Sequence, residues 1–242
     1  MSIYRSNLQP PDMSGFKLAS PVLQNCGHDI PSDPDFDPNC GYWSHDELAI
    51  LYAALHGPHL NRKTTVEIGS RFGWTAKAIN AATGGCVLCV DPILKYGSPE
   101  QQRFKENLGD TFGSVIAIPR TAEIFFRDRR LDCSGKSRYS AFVIDGNHED
   151  IQPTNDCKGA LSLATEDCIV ILHDARGLPV CKAAEFLMDQ GFRVRFYVTP
   201  NGLFVAWRAF EGWEPPAHDP DPKLVEPIMR QMRGQMDMGR MS

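Results

Sequence analysis

From Thr64 onward the chain alternates short apolar runs, glycine turns and helical stretches, a rhythm that few folds accommodate. TTVEIG (64–69), GCVLCVD (85–91), SVIAIP (114–119), SAFVIDG (140–146) and DCIVILHDA (167–175) read as strands. Helical patterns fill the gaps: GWTAKAINAA (73–82), then stretches near 99–108, 121–130, 152–165 and 179–190. The strands are nearly continuous in their apolar character, as expected where helices cover both faces of a parallel sheet. The alternation then breaks. FRVRFYVTP (192–200) and LFVAWRA (203–209) are joined through Asn201-Gly202, a short-loop hairpin signal. The expected fold is therefore α/β: a mostly parallel sheet with helices on both faces, closed by an antiparallel hairpin.

The flanks are different in kind. Residues 1–43 are rich in Pro, Asp, Asn and Gly, and PSDPDFDPNCGYW (31–43) suits neither helix nor strand, so an irregular N-terminal arm is expected. Ser44 and Glu47 then fit a capping box, with Leu48, Leu51 and Leu55 at helical spacing behind them, which predicts a helix over 45–56. His56 and His59 flank the following Gly-Pro turn and read more readily as solvated loop residues than as ligands. Residues 44–210 make one domain. Residues 211–242 form a Pro/Asp-rich and then Met-rich tail, a short interaction helix or a frayed end.

Composition narrows the function. The formal net charge is -5, and Arg127, Arg129 and Arg130 are the one small basic cluster, read as a solvated helix end; no nucleic-acid partner is expected. No apolar run approaches the roughly 20 residues that span a bilayer, and the N-terminus lacks an apolar signal-peptide core. Cys86 and Cys89 match C-x-x-C, but an odd separation within a strand points the two thiols to opposite faces, which weakens a zinc or redox reading. Cys168 likewise sits in an apolar run. A reduced, cytoplasmic chain without a membrane partner is expected.

In open α/β sheets ligands bind beyond the carboxyl ends of the strands, where the strand order reverses. Glu67, Gly69, Ser70 and Gly73 follow or end the first strand, and glycines there let the backbone turn and approach a ligand closely. The helix they open offers amide donors. The spacing is G-x-x-x-G, without the dinucleotide fingerprint G-x-G-x-x-G or a phosphate loop, which favours a nucleoside ligand that carries no phosphate. Asp91 ends the second strand, where an acid can accept both hydroxyls of a ribose. Asp145 ends the fourth, and His173-Asp174 ends the fifth. Neighbouring strands lie about 4.8 Å apart, so these side chains can converge on one ion.

VEIGSRFGWTA (66–76) followed by VLCVDP (87–92) resembles the first two motifs of class I S-adenosylmethionine-dependent methyltransferases. FVIDGNHED (142–150), a helix, and IVILHDA (169–175) resemble a bacterial small-molecule O-methyltransferase family that includes macrolide-sugar methyltransferases. The similarity covers residues 64–209 and implies a Rossmann-like, seven-stranded sheet with an antiparallel final strand. It implies that Gly69, Ser70 and Gly73 wrap the methionine and ribose of the cofactor, that Glu67 supports this loop or the cofactor amine, and that Asp91 holds the ribose. Thr121 and Ala122 fall where the family contacts adenine. Asp145, His173 and Asp174 fall where related enzymes hold a divalent cation, magnesium or manganese. Histidine in such a set suits manganese, iron or zinc better than magnesium. Alternatively Asp145 tethers the cofactor and His173 caps a strand end.

His148 is the candidate general base, since an imidazole titrates near pH 6.5 and lies three residues beyond Asp145. The alternative is a hydrogen bond to the cofactor. Phe36, Tyr42, Trp43 and Trp74 line an acceptor site or pack in the core. The function these features point to is methyl transfer to a hydroxyl of a small molecule (a sugar, polyketide or phenol), with the termini free for homo-oligomer contacts. An inactive cofactor-binding protein shares all of them. A nicotinamide oxidoreductase is disfavoured by the glycine spacing and the closing hairpin.

Overall fold

A computed structural model describes residues 43, 45–56, 59–132, 138–199 and 201–215. Helix α1 (His45–Leu55) precedes β1 (Thr65–Ile68), α2 (Trp74–Thr83), β2 (Val87–Val90) and α3 (Pro99–Leu108). A 3-10 turn (Gly109–Ser114) leads to β3 (Val115–Ile118), α4 (Ala122–Asp132), β4 (Tyr139–Ile144) and α5 (Gln152–Leu161). Strand β5 (Ala164–His173), α6 (Leu178–Asp189), β6 (Arg193–Tyr197) and β7 (Leu203–Arg208) complete the order. Phe36, Tyr42, the arm before Trp43, Ser44 of the expected capping box and the tail beyond Pro215 lie outside the described residues.

The seven strands run β3-β2-β1-β4-β5-β7-β6. Strands β1 to β5 are parallel, and β7 pairs antiparallel with both β5 and β6. This is the Rossmann-like arrangement expected, terminal hairpin included. Strand order reverses between β1 and β4, whose last residues Ile68 and Ile144 are paired, and that point sets the crevice.

Side-chain alternation divides the core into two layers. Val66, Ile68, Leu88, Val90, Phe142 and Ile144 pack with residues of α4, α5 and α6. Val87, Cys89, Ala141, Val143, Ile169 and Ile171 pack with α1, α2 and α3 on the other face. Cys86 and Cys89 fall in different layers, as an odd strand separation requires, and both are free thiols. The helix expected over 152–165 is shorter. It ends at Leu161, where the Ser162 hydroxyl donates to the Gly159 carbonyl at 2.6 Å, and β5 begins at Ala164. Helix α3 starts as its sequence dictates, with Ser98 Oγ accepting from the Gln101 amide and proline in its first turn. No helix among the described residues is long and apolar enough to cross a membrane.

Candidate active site

The carboxyl ends of β1, β2, β4 and β5 open on a cavity of about 820 Å³. Gly69, Ser70, Asp91, Thr121, Ala122, Asp145, His148 and Asp174, eight residues expected at the site, lie on its wall. Glu67, Gly73 and His173 do not, and each has a physical reason.

Gly69 sits at φ +85°, and a Cβ there would meet the Asp145 carbonyl oxygen at 2.0 Å. The β1 loop and the β4 end are thus pressed together, and only glycine permits it. Gly73 (φ +82°) starts α2 just off the cavity, where an added Cβ would touch the Phe104 ring at 2.9 Å. It sets the packing of α2 on α3. Glu67 alternates with Val66 and Ile68 and points down the α1/α2 face, fully buried, with Cys89 Sγ donating to it at 3.3 Å. Burial pushes its carboxyl up to about 8, against the pull of Ser70 and Cys89 and with the repulsion of Asp145 and Asp91. Glu67 therefore lies beneath the loop as a neutral acid at neutral pH.

Asp91 is held from behind. Its Oδ2 accepts from the Arg71 amide at 2.8 Å and its Oδ1 from the Ile93 amide at 3.0 Å. Each oxygen keeps a second lone pair, so a fixed carboxylate faces the cavity with two acceptor sites left. Thr121 Oγ1 accepts from the Ile124 amide and starts α4 on the opposite wall.

Below Gly69 lies a cluster of charged groups. Asp145 Oδ2 accepts from Trp43 Nε1 at 2.7 Å, and Oδ1 accepts from His173 Nδ1 at 2.9 Å. His173 is fully buried, its Nε2 is 3.4 Å from Glu47 Oε2, and Trp43 stacks on its ring at 4.3 Å and 9°. Burial opposes charge on this ring, but the carboxylates of Asp145 and Glu47 outweigh it and raise its pKa to about 10. His148 Nδ1 lies 3.1 Å from Asp174 Oδ2, and its Nε2 is buried without a hydrogen-bond partner. A carboxylate only accepts, so Nδ1 carries the proton and Nε2 the lone pair in the neutral ring. Burial lowers the His148 pKa, yet the bond to Asp174 and the charges of Asp145 and Asp174 carry it above its ordinary value. Asp174 itself sits at φ +55°, a left-handed turn that swings its carboxylate off the strand toward the cavity.

Residues 66–175 match the family model described as a methyltransferase domain. The fold is shared with a Staphylococcus aureus protein assigned as a caffeoyl-CoA O-methyltransferase, at 16% identity and TM-score 0.59, over 80% of this chain and 99% of that one. It is shared with the cofactor-bound Rv0187 from MTB at 16% identity and TM-score 0.57, over 83% and 97% of the two chains. A precorrin-6y C5,15-methyltransferase from Geobacter metallireducens GS-15 aligns at 14% identity and TM-score 0.55, over 73% and 96%. No curated protein matches the chain in sequence. The matched stretch carries the strands and loops that wall the cavity, so this part of the chain is similar to a methyltransferase domain.

The cavity fits S-adenosylmethionine on its own terms. The Gly69 cradle admits no side chain, and Asp91 offers paired acceptors. A ligand with ribose hydroxyls and a slender amino-acid end suits both. Of the expected cation set, His173 Nδ1 lies 2.9 Å from Asp145 Oδ1 and 3.6 Å from Asp174 Oδ1, while its Nε2 faces the buried Glu47 carboxylate. Asp145, His148 and Asp174 converge, with one potential ligand atom from each within 4.8 Å of the others. Two carboxylates and an imidazole fit manganese, iron or zinc.

Two contributors, Glu47 and Asp156, were not legible as site residues, and Trp43, expected at an acceptor site or in the core, makes a further contact. Glu47, expected to serve a capping box, instead accepts from Thr199 Oγ1 at 2.7 Å, the Asn201 amide at 2.8 Å and Asn201 Nδ2 at 3.1 Å. Trp43 bonds Asp145 rather than serving as an acceptor-site aromatic alone. Asp156, on the cavity wall, accepts from Gln152, and burial raises its carboxyl to about 6 against the pull of Gln152 and His148. The sequence does carry one signal: Glu47 falls in helical register with Leu51, Ala54 and Leu55, an acid on the apolar stripe of α1. His56 and His59 stay clear of the cavity. His56 is 3.3 Å from the Ala82 carbonyl, and His59 packs edge-on to Phe210.

Proposed function

We propose that the protein transfers the methyl group of S-adenosylmethionine to a hydroxyl of a small molecule, with His148 as the proton acceptor. The observation that carries this reading is the His148–Asp174 pair: one ring nitrogen is bonded to a carboxylate at 3.1 Å, and the other, buried beside the cavity, makes no hydrogen bond and lies 3.7 Å from Asp145 Oδ1. S-adenosylmethionine supplies an electrophilic methyl on a sulfonium and leaves as S-adenosylhomocysteine. Asp91 orients the ribose, and the Gly69–Ser70 turn receives the methionine end. Thr121 and Ala122 border the adenine. Asp174 holds the His148 ring in the tautomer that leaves Nε2 free, so that Nε2 takes the acceptor proton as oxygen attacks the methyl carbon. A phenolic acceptor is in keeping with the Staphylococcus aureus neighbour, and sugar and polyketide hydroxyls answer to the same chemistry.

A second reading rests on the convergence of Asp145, His148 and Asp174. These residues would hold a divalent cation, which would fix the acceptor oxygen and lower its pKa. The two readings compete for one nitrogen of His148. Release of S-adenosylhomocysteine from a panel of sugar, phenol and polyketide acceptors, with excess chelator and with added manganese, tests both. Turnover that survives the chelator supports His148 as base; turnover only with manganese supports the cation; release from amine acceptors alone sinks the hydroxyl assignment.

A further inference from the structure

Helix α1 lies outside the strand–helix repeat, yet it sends one fully buried carboxylate to the floor of the site. Thr199, Asn201 and His173 hydrogen-bond Glu47, and they belong to two different parts of the chain. Its Oε1 takes the Thr199 hydroxyl and the Asn201 amide from the β6–β7 loop. Its Oε2 faces Asn201 Nδ2 and, at 3.4 Å, Nε2 of His173 at the end of β5. The far nitrogen of the same ring is 2.9 Å from Asp145 Oδ1, and the Trp43 ring, two residues before α1, stacks over it and bonds the other oxygen of Asp145. The loop is tied to the same corner again, since the Ala175 amide donates to the Gly202 carbonyl at 3.1 Å.

We propose that Glu47 is a positioning residue of the methyltransferase site: it holds His173, and through His173 it fixes the Asp145 carboxylate beside the cofactor cradle. Three features carry the inference. The contacts run from Glu47 to His173 to Asp145, and Glu47 and His173 are both fully buried. Asp145 lies on the cavity wall and its backbone carbonyl abuts Gly69, so a shift of Asp145 is a shift of the cradle. Both Asp145 oxygens are fixed from groups that α1 docks, Trp43 directly and His173 through Glu47. A buried acid of purely structural use would need only the Thr199 and Asn201 donors on its outer side. The proposal rests on the cofactor reading of the cavity and not on the hydroxyl acceptor.

The test compares Glu47→Gln with Thr199→Val in the full chain. Glutamine keeps the size of Glu47 and can still accept from the β6–β7 loop, but its amide nitrogen cannot accept from His173. Thr199→Val removes a donor to Glu47 and an acceptor for the Gly202 amide, both on the outer side. Calorimetric titration of S-adenosylhomocysteine should show a loss of about tenfold or more for Glu47→Gln, while Thr199→Val binds as the unsubstituted protein does even where its melting temperature falls. The proton resonances of the His173 ring and the Trp43 indole should move in Glu47→Gln and stay in Thr199→Val. Equal affinities in Glu47→Gln and the unsubstituted protein, or affinity losses that simply track melting temperature in both variants, overturn the proposal. If Glu47→Gln does not fold, the unsubstituted protein decides: S-adenosylhomocysteine should shift both the His173 and Trp43 resonances, and a titration that binds without shifting either rejects the role. No binding to the unsubstituted protein would instead defeat the cofactor reading itself.

Discussion

Glu67→Gln isolates a single buried proton. Glu67 is fully buried on β1 between the Cys89 thiol and the Ser70 loop, and its carboxyl titrates near 8 instead of 4.5. The folded protein therefore keeps a proton that the unfolded chain gives up, and the linkage sign follows: stability from this group is complete below pH 4.5 and declines until pH passes about 8. Each pH unit in that window removes about 1.4 kcal/mol, which sums to roughly 3–5 kcal/mol for a group with buried, interacting neighbours. Glutamine is neutral at every pH and nearly the same shape. The ligand-free variant should match the unsubstituted protein within about 1 kcal/mol at pH 5 and exceed it by about 3 kcal/mol or more at pH 8.5. Urea unfolding of both proteins at pH 5, 7 and 8.5 measures the difference directly. Asp156, whose pKa is raised to about 6, bends both profiles alike and cancels in the subtraction. Stability curves that stay parallel across this range would refute the burial argument. Because Glu67 lies below the cavity wall, affinity for S-adenosylhomocysteine should change less than about threefold; a larger loss assigns Glu67 to the cofactor amine instead of the loop.

Asp91→Ala removes two charged acceptors and should weaken S-adenosylhomocysteine by about 30-fold or more in calorimetry; unchanged affinity takes Asp91 out of the ribose role. Gly69→Ala forces a Cβ into the Asp145 carbonyl at a left-handed φ, and should cost at least about 3 kcal/mol in denaturant unfolding or prevent folding. A stable, fully cofactor-binding Gly69→Ala protein would mean that β1 and β4 do not approach as closely as described. His148→Ala should lower turnover of any accepted hydroxyl substrate by about 10²–10⁴-fold while leaving S-adenosylhomocysteine affinity within a few-fold. Turnover that survives this change intact would remove the base assignment.

The parallel strands were legible because burial on both faces makes them continuous apolar runs, and Asn201-Gly202 marked the hairpin. The end of α5 was not, since Leu163 suits a helix face and a strand entry equally and is buried in either. At the site, the wall residues gathered as strand ends in a doubly covered sheet must: Gly69, Asp91 and Asp145 each leave a parallel strand on the same edge. His173 shows what a closer use of period two would have given. Ile169, Ile171 and His173 share one face of β5, and the two isoleucines pack in the layer that holds α1. A histidine at the third position of that row must point down into the same layer, away from the crevice. Asp174 escapes the row only because its backbone leaves the strand at φ +55°. The partner of His173 could not be read from the strand, because Glu47 lies 126 residues earlier. It was readable only as a mismatch, an acid on the apolar stripe of α1. A buried carboxylate on one layer and a buried histidine on the other side of that layer, each unexplained by its own element, are mutual candidates for pairing; desolvation makes either alone too costly to keep.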